Sequence, residues 1–337
     1  MTYPSFKTVV PTDVSHVNIY HDEEMYAAHP NRGGIWNFGN GEIAVAHLLK
    51  PVDYNTGKGV NHWYAEGTGS GVMLNRSYDG GQTWPKEEKK WIWNNNRPVK
   101  EIYRWLYERP AKSKNIDMAH SDSIMHFGLT HYLRKGTESS PSPIWDNFTF
   151  CLRSNDRGHT WESKPSIVPV PAYADGLIVA NLGAVNFSNG VIGIVASYGG
   201  GKGAWERNWG VCYLVSYDQG LSWDIVSRVA HDSTGQYQYT YAGLHQLPNG
   251  RLLCSMHRLI KPLGDYPCVA TSDDGGMTWS EPRYIVRPDH VPAEALPQHG
   301  SFELPLESHK KIPFRIFSLF WVRPLFQQVL IFMVGQN

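Results

Sequence analysis

Charge is scarce in this sequence. Only 18% of its 337 residues are Asp, Glu, Lys or Arg, and 31 basic residues balance 31 acidic ones. A chain with no basic surplus lacks the electrostatic footprint by which nucleic-acid binders hold phosphate. Cysteine is scarcer still. Cys151, Cys212, Cys254 and Cys268 include no C-x-x-C pair, so the sequence implies no metal and no cofactor, and the four read as buried strand thiols. The opening MTYPSFKTVV has neither the basic start nor the apolar run of a secretory leader, which points to the cytoplasm. No low-complexity or linker-like stretch divides the chain.

What is abundant suits strands and turns. There are 32 glycines and 13 tryptophans, and 41% of the chain is apolar. An eight-residue pattern, S-x-D-x-G-x-[T/S]-W, occurs four times: SYDGGQTW from Ser77, SNDRGHTW from Ser154, SYDQGLSW from Ser216 and SDDGGMTW from Ser272. Asp79, Asp156, Asp218 and Asp274 can each accept hydrogen bonds from their own loop's backbone. The glycine two residues on supplies a positive φ, and the closing tryptophan buries a large ring at the base of the turn. These aspartates therefore read as structural, not catalytic.

Asn-Gly turns between apolar runs, at Asn40-Gly41, Asn189-Gly190 and Asn249-Gly250, mark further hairpins. In the second unit Ser121-Asp122 takes that place. The four boxes start 77, 62 and 56 residues apart, by subtraction of their serine numbers. One unit is strand, short turn, strand, longer loop, strand, box turn, strand, which is a propeller blade. Residues 1–300 are expected to form one all-β propeller, with the four blades over about 30–286. Residues 301–337 change composition abruptly and read as an atypical tail, truncated or frame-shifted, that does not complete a sixth blade. Arg315, Arg323, Gln327 and Gln328 interrupt its apolar run, so it does not read as a membrane span.

Boxes in this number and spacing resemble the Asp-box repeats of the sialidase (neuraminidase) superfamily over roughly residues 29–286. The resemblance implies a propeller of the six-bladed type, left unfinished here at its C-terminal end. It also implies site residues. An arginine ahead of the first blade's second strand is matched in part by Arg32 of HPNRGGIWNFGNGEIAVAH, with Gly33-Gly34 where the family has Ile-Pro. The acid/base carboxylate, eleven residues before the first box, falls on Glu66. In the fourth blade, YTYAGLHQLPNGRLLCSMHR keeps an arginine as Arg258, while the family's glutamate position holds Tyr241, or Tyr239 if the alignment slips. The family's C-terminal tyrosine nucleophile has no counterpart, since no tyrosine follows Tyr284.

Arginine forks suit a sugar carboxylate because they grip it bidentately. A general acid needs a carboxyl whose pKa its surroundings raise. The reading that follows is an exo-glycosidase acting on a terminal acidic sugar, with Glu66 and Tyr241 at the chemistry and Arg32 and Arg258 holding the substrate. A polysaccharide lyase or other glycosidase on the same propeller, using Tyr241 and histidines, is the alternative. A non-catalytic glycan-binding propeller is the third. All three take a glycan as partner, with neither nucleic acid nor membrane. Of the histidines near blade starts and loops (His29, His47, His62, His120, His126, His131, His245 and His257), His126 reads as an ordinary half-buried strand position.

Overall fold

A computed structural model of the chain describes residues 16–28, 33–57, 69–94, 116–133, 145–179, 183–199, 209–260 and 264–285. They form seventeen strands in four antiparallel sheets, with one 3₁₀ turn at Lys86–Glu88. Blade 1 comprises β1 (Met25–Ala28), β2 (Gly34–Gly39), β3 (Glu42–Pro51), β4 (Gly71–Ser77) and β5 (Lys90–Asn94). Both β1 and β2 pair with β3, so a split inner strand faces a β3-β4-β5 ladder. Blade 2 shows β6 (Ile124–Leu133), β7 (Trp145–Ser154) and β8 (Ser166–Val168). Blade 3 repeats the split, with β9 (Gly176–Ile178) and β10 (Val185–Asn186) both on β11 (Ile192–Gly199), followed by β12 (Gly210–Ser216) and β13 (Asp224–Ala230). Blade 4 is β14 (Tyr237–Gln246), β15 (Leu252–Ile260), β16 (Gly264–Ser272) and β17 (Arg283–Tyr284). The tail, residues 301–337, lies outside the described residues.

The central strands are buried along their whole length. Every residue of β4, β11 and β12 is buried, as expected where both faces of a sheet are covered. Three apolar clusters mark the blade seams. Ala44, Ala46 and Leu74 of blade 1 meet Phe150 and Leu152 of blade 2. Phe127 and Cys151 of blade 2 meet Ile192, Ile194 and Leu214 of blade 3. Val195, Tyr213 and Val215 of blade 3 meet Leu252, Cys254 and Ala270 of blade 4. All four cysteines are free and buried in these seams, and burial pushes the Cys212 thiol up to about 12.

Each box joins the last two described strands of its blade, which are the third and fourth in blades 1, 3 and 4, as the spacing predicts, and β7 and β8 in blade 2. In the first, Asp79 Oδ1 accepts from the Gln82 and Thr83 N–H groups (both 2.9 Å) and its Oδ2 from the Thr83 hydroxyl (2.6 Å). Gly81, Gly158, Gly220 and Gly276 all have φ near +90°. The preceding position is also left-handed, and in two boxes it is not glycine: Arg157 has φ 60° and Gln219 φ 63°. Side-chain bonds offset that strain. Arg157 donates to Asp122 (2.6 Å) and Glu42 (2.5 Å). Gln219 accepts from the Met118 N–H (2.8 Å).

The boxes also fasten blades to one another. Arg76, buried in β4, donates to the Arg157 carbonyl of the next blade (2.6 Å) and pairs with Glu42. Arg153, 1% exposed, donates to the Gln219 carbonyl (2.9 Å) and pairs with Glu162. At the third seam the Ser227 hydroxyl donates to the Gly276 carbonyl (2.5 Å) and accepts from Trp279 Nε1 (3.1 Å).

Candidate functional site

Antiparallel pairing puts the first hairpin turn and the box turn of a blade at the same end. The contacts bear this out: the Gly80 N–H donates to the Gly41 carbonyl (2.8 Å) and the Arg157 N–H to the Asp122 carbonyl (2.8 Å). Ser121-Asp122 thus does stand in for the Asn-Gly turn. The opposite end of each blade carries the start of the first strand and the loop between the second and third. Connecting segments at one end of a rigid scaffold are where binding and catalytic groups concentrate.

In blade 4 this end is built around Arg258. The side chain leaves β15 on the face that packs against blade 3, opposite Tyr239 on β14 and Tyr266 on β16. Its guanidinium carbon stands 3.7 Å from the Tyr237 ring centroid, 5.0 Å from that of Tyr284 and 5.7 Å from that of Tyr239. A desolvated cation over aromatic faces gains up to about 2 kcal/mol. Yet Nε of Arg258 is buried with no hydrogen-bond partner. No carboxylate pairs with Arg258 among the described residues, in contrast to Arg76, Arg153, Arg157 and Arg251. Tyr239 is 4% exposed, and burial raises its hydroxyl to about 12 although Arg258 pulls the other way.

Tyr241 sits elsewhere. The β14–β15 register shifts between Thr240 and Gly243, and Tyr241 takes φ 52° in that bulge. A bulky residue in the left-handed region is an outlier that surrounding structure must hold. Successive strand residues face opposite ways, so His257 and Arg258 occupy opposite faces of β15. The Tyr241 ring lies 5.3 Å from that of His257 and remains 36% exposed. The bulge therefore splits the alternating tyrosines of QYQYTY: Tyr237 and Tyr239 go to Arg258, and Tyr241 goes to His257.

The sequence model of the BNR repeat-like domain matches residues 135–297. A protein of unknown function from Dyadobacter fermentans superposes with TM-score 0.56 at 20% identity, covering 79% of this chain and 71% of its own. The intramolecular trans-sialidase of Ruminococcus gnavus, solved with oseltamivir carboxylate, gives TM-score 0.51 at 13% identity over 80% of this chain and 73% of its own. The leech intramolecular trans-sialidase, solved with 2,7-anhydro-Neu5Ac, gives 0.50 at 14% identity, covering 81% of this chain but 54% of the enzyme. The chain has the propeller fold of these structures. No curated protein matches it.

Of the residues this propeller was expected to use, Arg32 and Glu66 lie outside the described residues. Arg258 and Tyr241 are both present in blade 4 but on opposite faces of its sheet. Tyr239, the other alignment of the family's glutamate, is the tyrosine that faces Arg258. His126 is not the half-buried position its strand pattern suggests. It has no exposed surface, and burial lowers its imidazole to about 4. Nδ1–H of His126 donates to the Gly33 carbonyl (3.2 Å), which ties blade 2 to the residue directly after Arg32. Among the described residues, no cluster of three or more His, Cys, Asp or Glu could hold a metal, and no helix is long and apolar enough to cross a membrane. Sequence reasoning named Tyr239 only as an alternative alignment and missed Tyr237 and Tyr284, although Tyr237 and Tyr239 at period two on the strand opposite Arg258 were the available signal.

Proposed function

We propose that this propeller is an exo-acting glycoside hydrolase for a terminal acidic sugar. Arg258 seats the sugar carboxylate, Arg32 adds a second fork, and Glu66 protonates the leaving oxygen. The observation that carries this reading is the state of Arg258, a cation held among tyrosine rings with no carboxylate paired to it among the described residues. An arginine kept for structure is normally paired, because an uncompensated buried charge is costly. An arginine kept for a ligand leaves its fork for the incoming anion. The resemblance to the sialidase superfamily supplies the roles of Arg32 and Glu66. The deciding assay is release of an aryl group from aryl glycosides of sialic and hexuronic acids. Glu66→Gln should abolish turnover in a folded protein, whereas Arg258→Ala should chiefly raise KM. Absence of wild-type turnover on every acidic glycoside would overturn the hydrolase in favour of a binding propeller.

The Tyr241–His257 contact favours a second reading. A histidine and a tyrosine in ring contact could serve as base and acid in β-elimination from a uronate, with an arginine neutralising the carboxylate. Formation of an unsaturated, ultraviolet-absorbing product, lost in Tyr241→Phe, would select the lyase over the hydrolase.

A further inference from the structure

Blade 3 holds a second aromatic-stacked arginine that the reading above does not use. Arg228 lies on β13 opposite Cys212, on the face turned to blade 2. Its guanidinium carbon stands 3.8 Å from the Tyr173 ring centroid. Tyr173 is 41% exposed and meets the Tyr198 ring edge-on at 5.0 Å. Tyr198 in turn stacks on His231 at 6.1 Å, with 29° between the planes. No carboxylate pairs with Arg228 among the described residues. Tyr198 is only 1% exposed, and its hydroxyl is buried without a hydrogen-bond partner. That hydroxyl lies across Gly210: a Cβ there would come within 2.4 Å of it and 2.8 Å of the Ala230 carbonyl. It is thus aimed past β12 at the end of β13, where His231 follows.

We infer that Arg228, His231, Tyr198 and Tyr173 form a second subsite, selective for the acid group of an anionic saccharide unit. Arg228 supplies the charge, and His231 adds to it when protonated. The Tyr198 hydroxyl supplies a donor that nothing among the described residues uses, and a buried donor left unpaired is costly. Tyr173 presents apolar ring surface of the kind that sugar C–H faces cover. The site is distinct from Arg258, which faces the seam between blades 3 and 4 while Arg228 faces that between blades 2 and 3, and it does not depend on which reaction Arg258 serves. Its ligand class is a carboxylated or sulfated oligosaccharide.

Burial, and then the nearby Arg228, hold the His231 pKa below the usual histidine range, while Asp232 opposes them. An anion bound between Arg228 and His231 must raise it. The test is an NMR pH titration of His231 in the full chain, alone and with digalacturonate, a monosulfated galactose disaccharide, or lactose. A saturable upward shift is expected with one or both acidic probes and none with lactose, and the two acidic arms tell carboxylate from sulfate. Arg228→Gln should weaken the effect roughly tenfold or more, the loss of one charge-assisted bond. Tyr198→Phe, which preserves the packing, should weaken it less. Arg258→Gln should leave the shift intact even if it removes turnover, so the two sites fail separately. No shift with either acid, an equal shift with lactose, or loss of the shift in Arg258→Gln would each overturn the subsite.

Discussion

Blades 3 and 4 solve one problem with their residues exchanged. Counting from the boxes, Tyr198 on β11 and Arg258 on β15 occupy equivalent positions, six residues after the strand's pair to the box serine. Arg228 on β13 and Tyr284 on β17 are likewise equivalent, each opposite the cysteine four residues before a box. In blade 4 the arginine is central and tyrosines surround it. In blade 3 the tyrosine is central and the arginine stands at the edge strand. A cation in the middle of a sheet is ringed on several sides and loses water, whereas one on the outer strand keeps most of its hydration. The same pair of side chains therefore gives a half-buried cation ringed by tyrosines in one blade and a surface contact in the other.

The largest difference between these blades should come from their boxes. A methyl group on Gly276 would meet the Tyr213 ring at 2.3 Å, whereas on Gly220 the nearest atom is Arg153 Cδ at 3.3 Å. Both glycines are left-handed, so either substitution carries a backbone penalty of about 1–2 kcal/mol. Gly276→Ala adds overpacking, for a total of about 2–4 kcal/mol. Urea midpoints for the two variants should separate clearly, and equal midpoints would mean that Tyr213 moves aside freely.

The arginines come next. Arg258→Ala should cost about 2 kcal/mol, the range of a desolvated cation–π contact, and Arg228→Ala about 0.5–1 kcal/mol, the exposed range. Transposing the pair in blade 4, as Arg258→Tyr with Tyr284→Arg, should give a folded protein that no longer binds at the centre. If Arg228→Ala proves the more damaging of the two single changes, the ringed cation and the surface contact have been assigned the wrong way round.

The blades were legible because an Asp box closes its hydrogen bonds within eight residues, and Asn-Gly turns encode hairpins just as locally. Where a contact depends on another blade, the sequence is nearly silent. Nothing in SNDRGHTW says that Arg157 accepts a left-handed backbone because Glu42 and Asp122 await it. His126 reads as an alternating strand residue, and only the approach of Gly33 buries it. Arg258 was legible as a residue and illegible as an environment, since a bulge at Tyr241 redirects one of three regularly spaced tyrosines. A bulge is set by packing on both faces, and the local pattern carries no mark of it.

Acid should narrow the gap between the two boxes. Hydrogen bonds from the Thr278 hydroxyl and N–H hold the Asp274 carboxyl down to about 2. At Asp218 burial opposes the shift, and bonds from Ser222 still leave the carboxyl lowered. A depressed carboxylate stabilises the fold above its unfolded pKa of about 3.9, and that stability is lost as pH falls toward the folded value. Asp274→Asn should therefore differ from wild type at pH 6 and converge on it as pH approaches 2, as followed by thermal midpoints. A difference that stays constant over that interval would mean the side chain acts through shape and not through charge.

The smallest effect expected is at Tyr198, and it has the opposite sign. Its ring fills the seam between blades 2 and 3, but its hydroxyl is buried with no partner. Removing a polar atom that never recovers its lost hydration stabilises, provided the ring stays in place. Tyr198→Phe should therefore gain about 1 kcal/mol, at the low end of the burial cost of such a group. The matching change at the centre of blade 4's cluster, Tyr239→Phe, should gain nothing, because that ring serves Arg258 with its face and its hydroxyl is not among the buried unpartnered atoms. Denaturant midpoints of the two variants decide the matter. A Tyr198→Phe protein less stable than wild type would show that the hydroxyl already has a partner in the apo protein, and the donor assigned to the second subsite would be withdrawn.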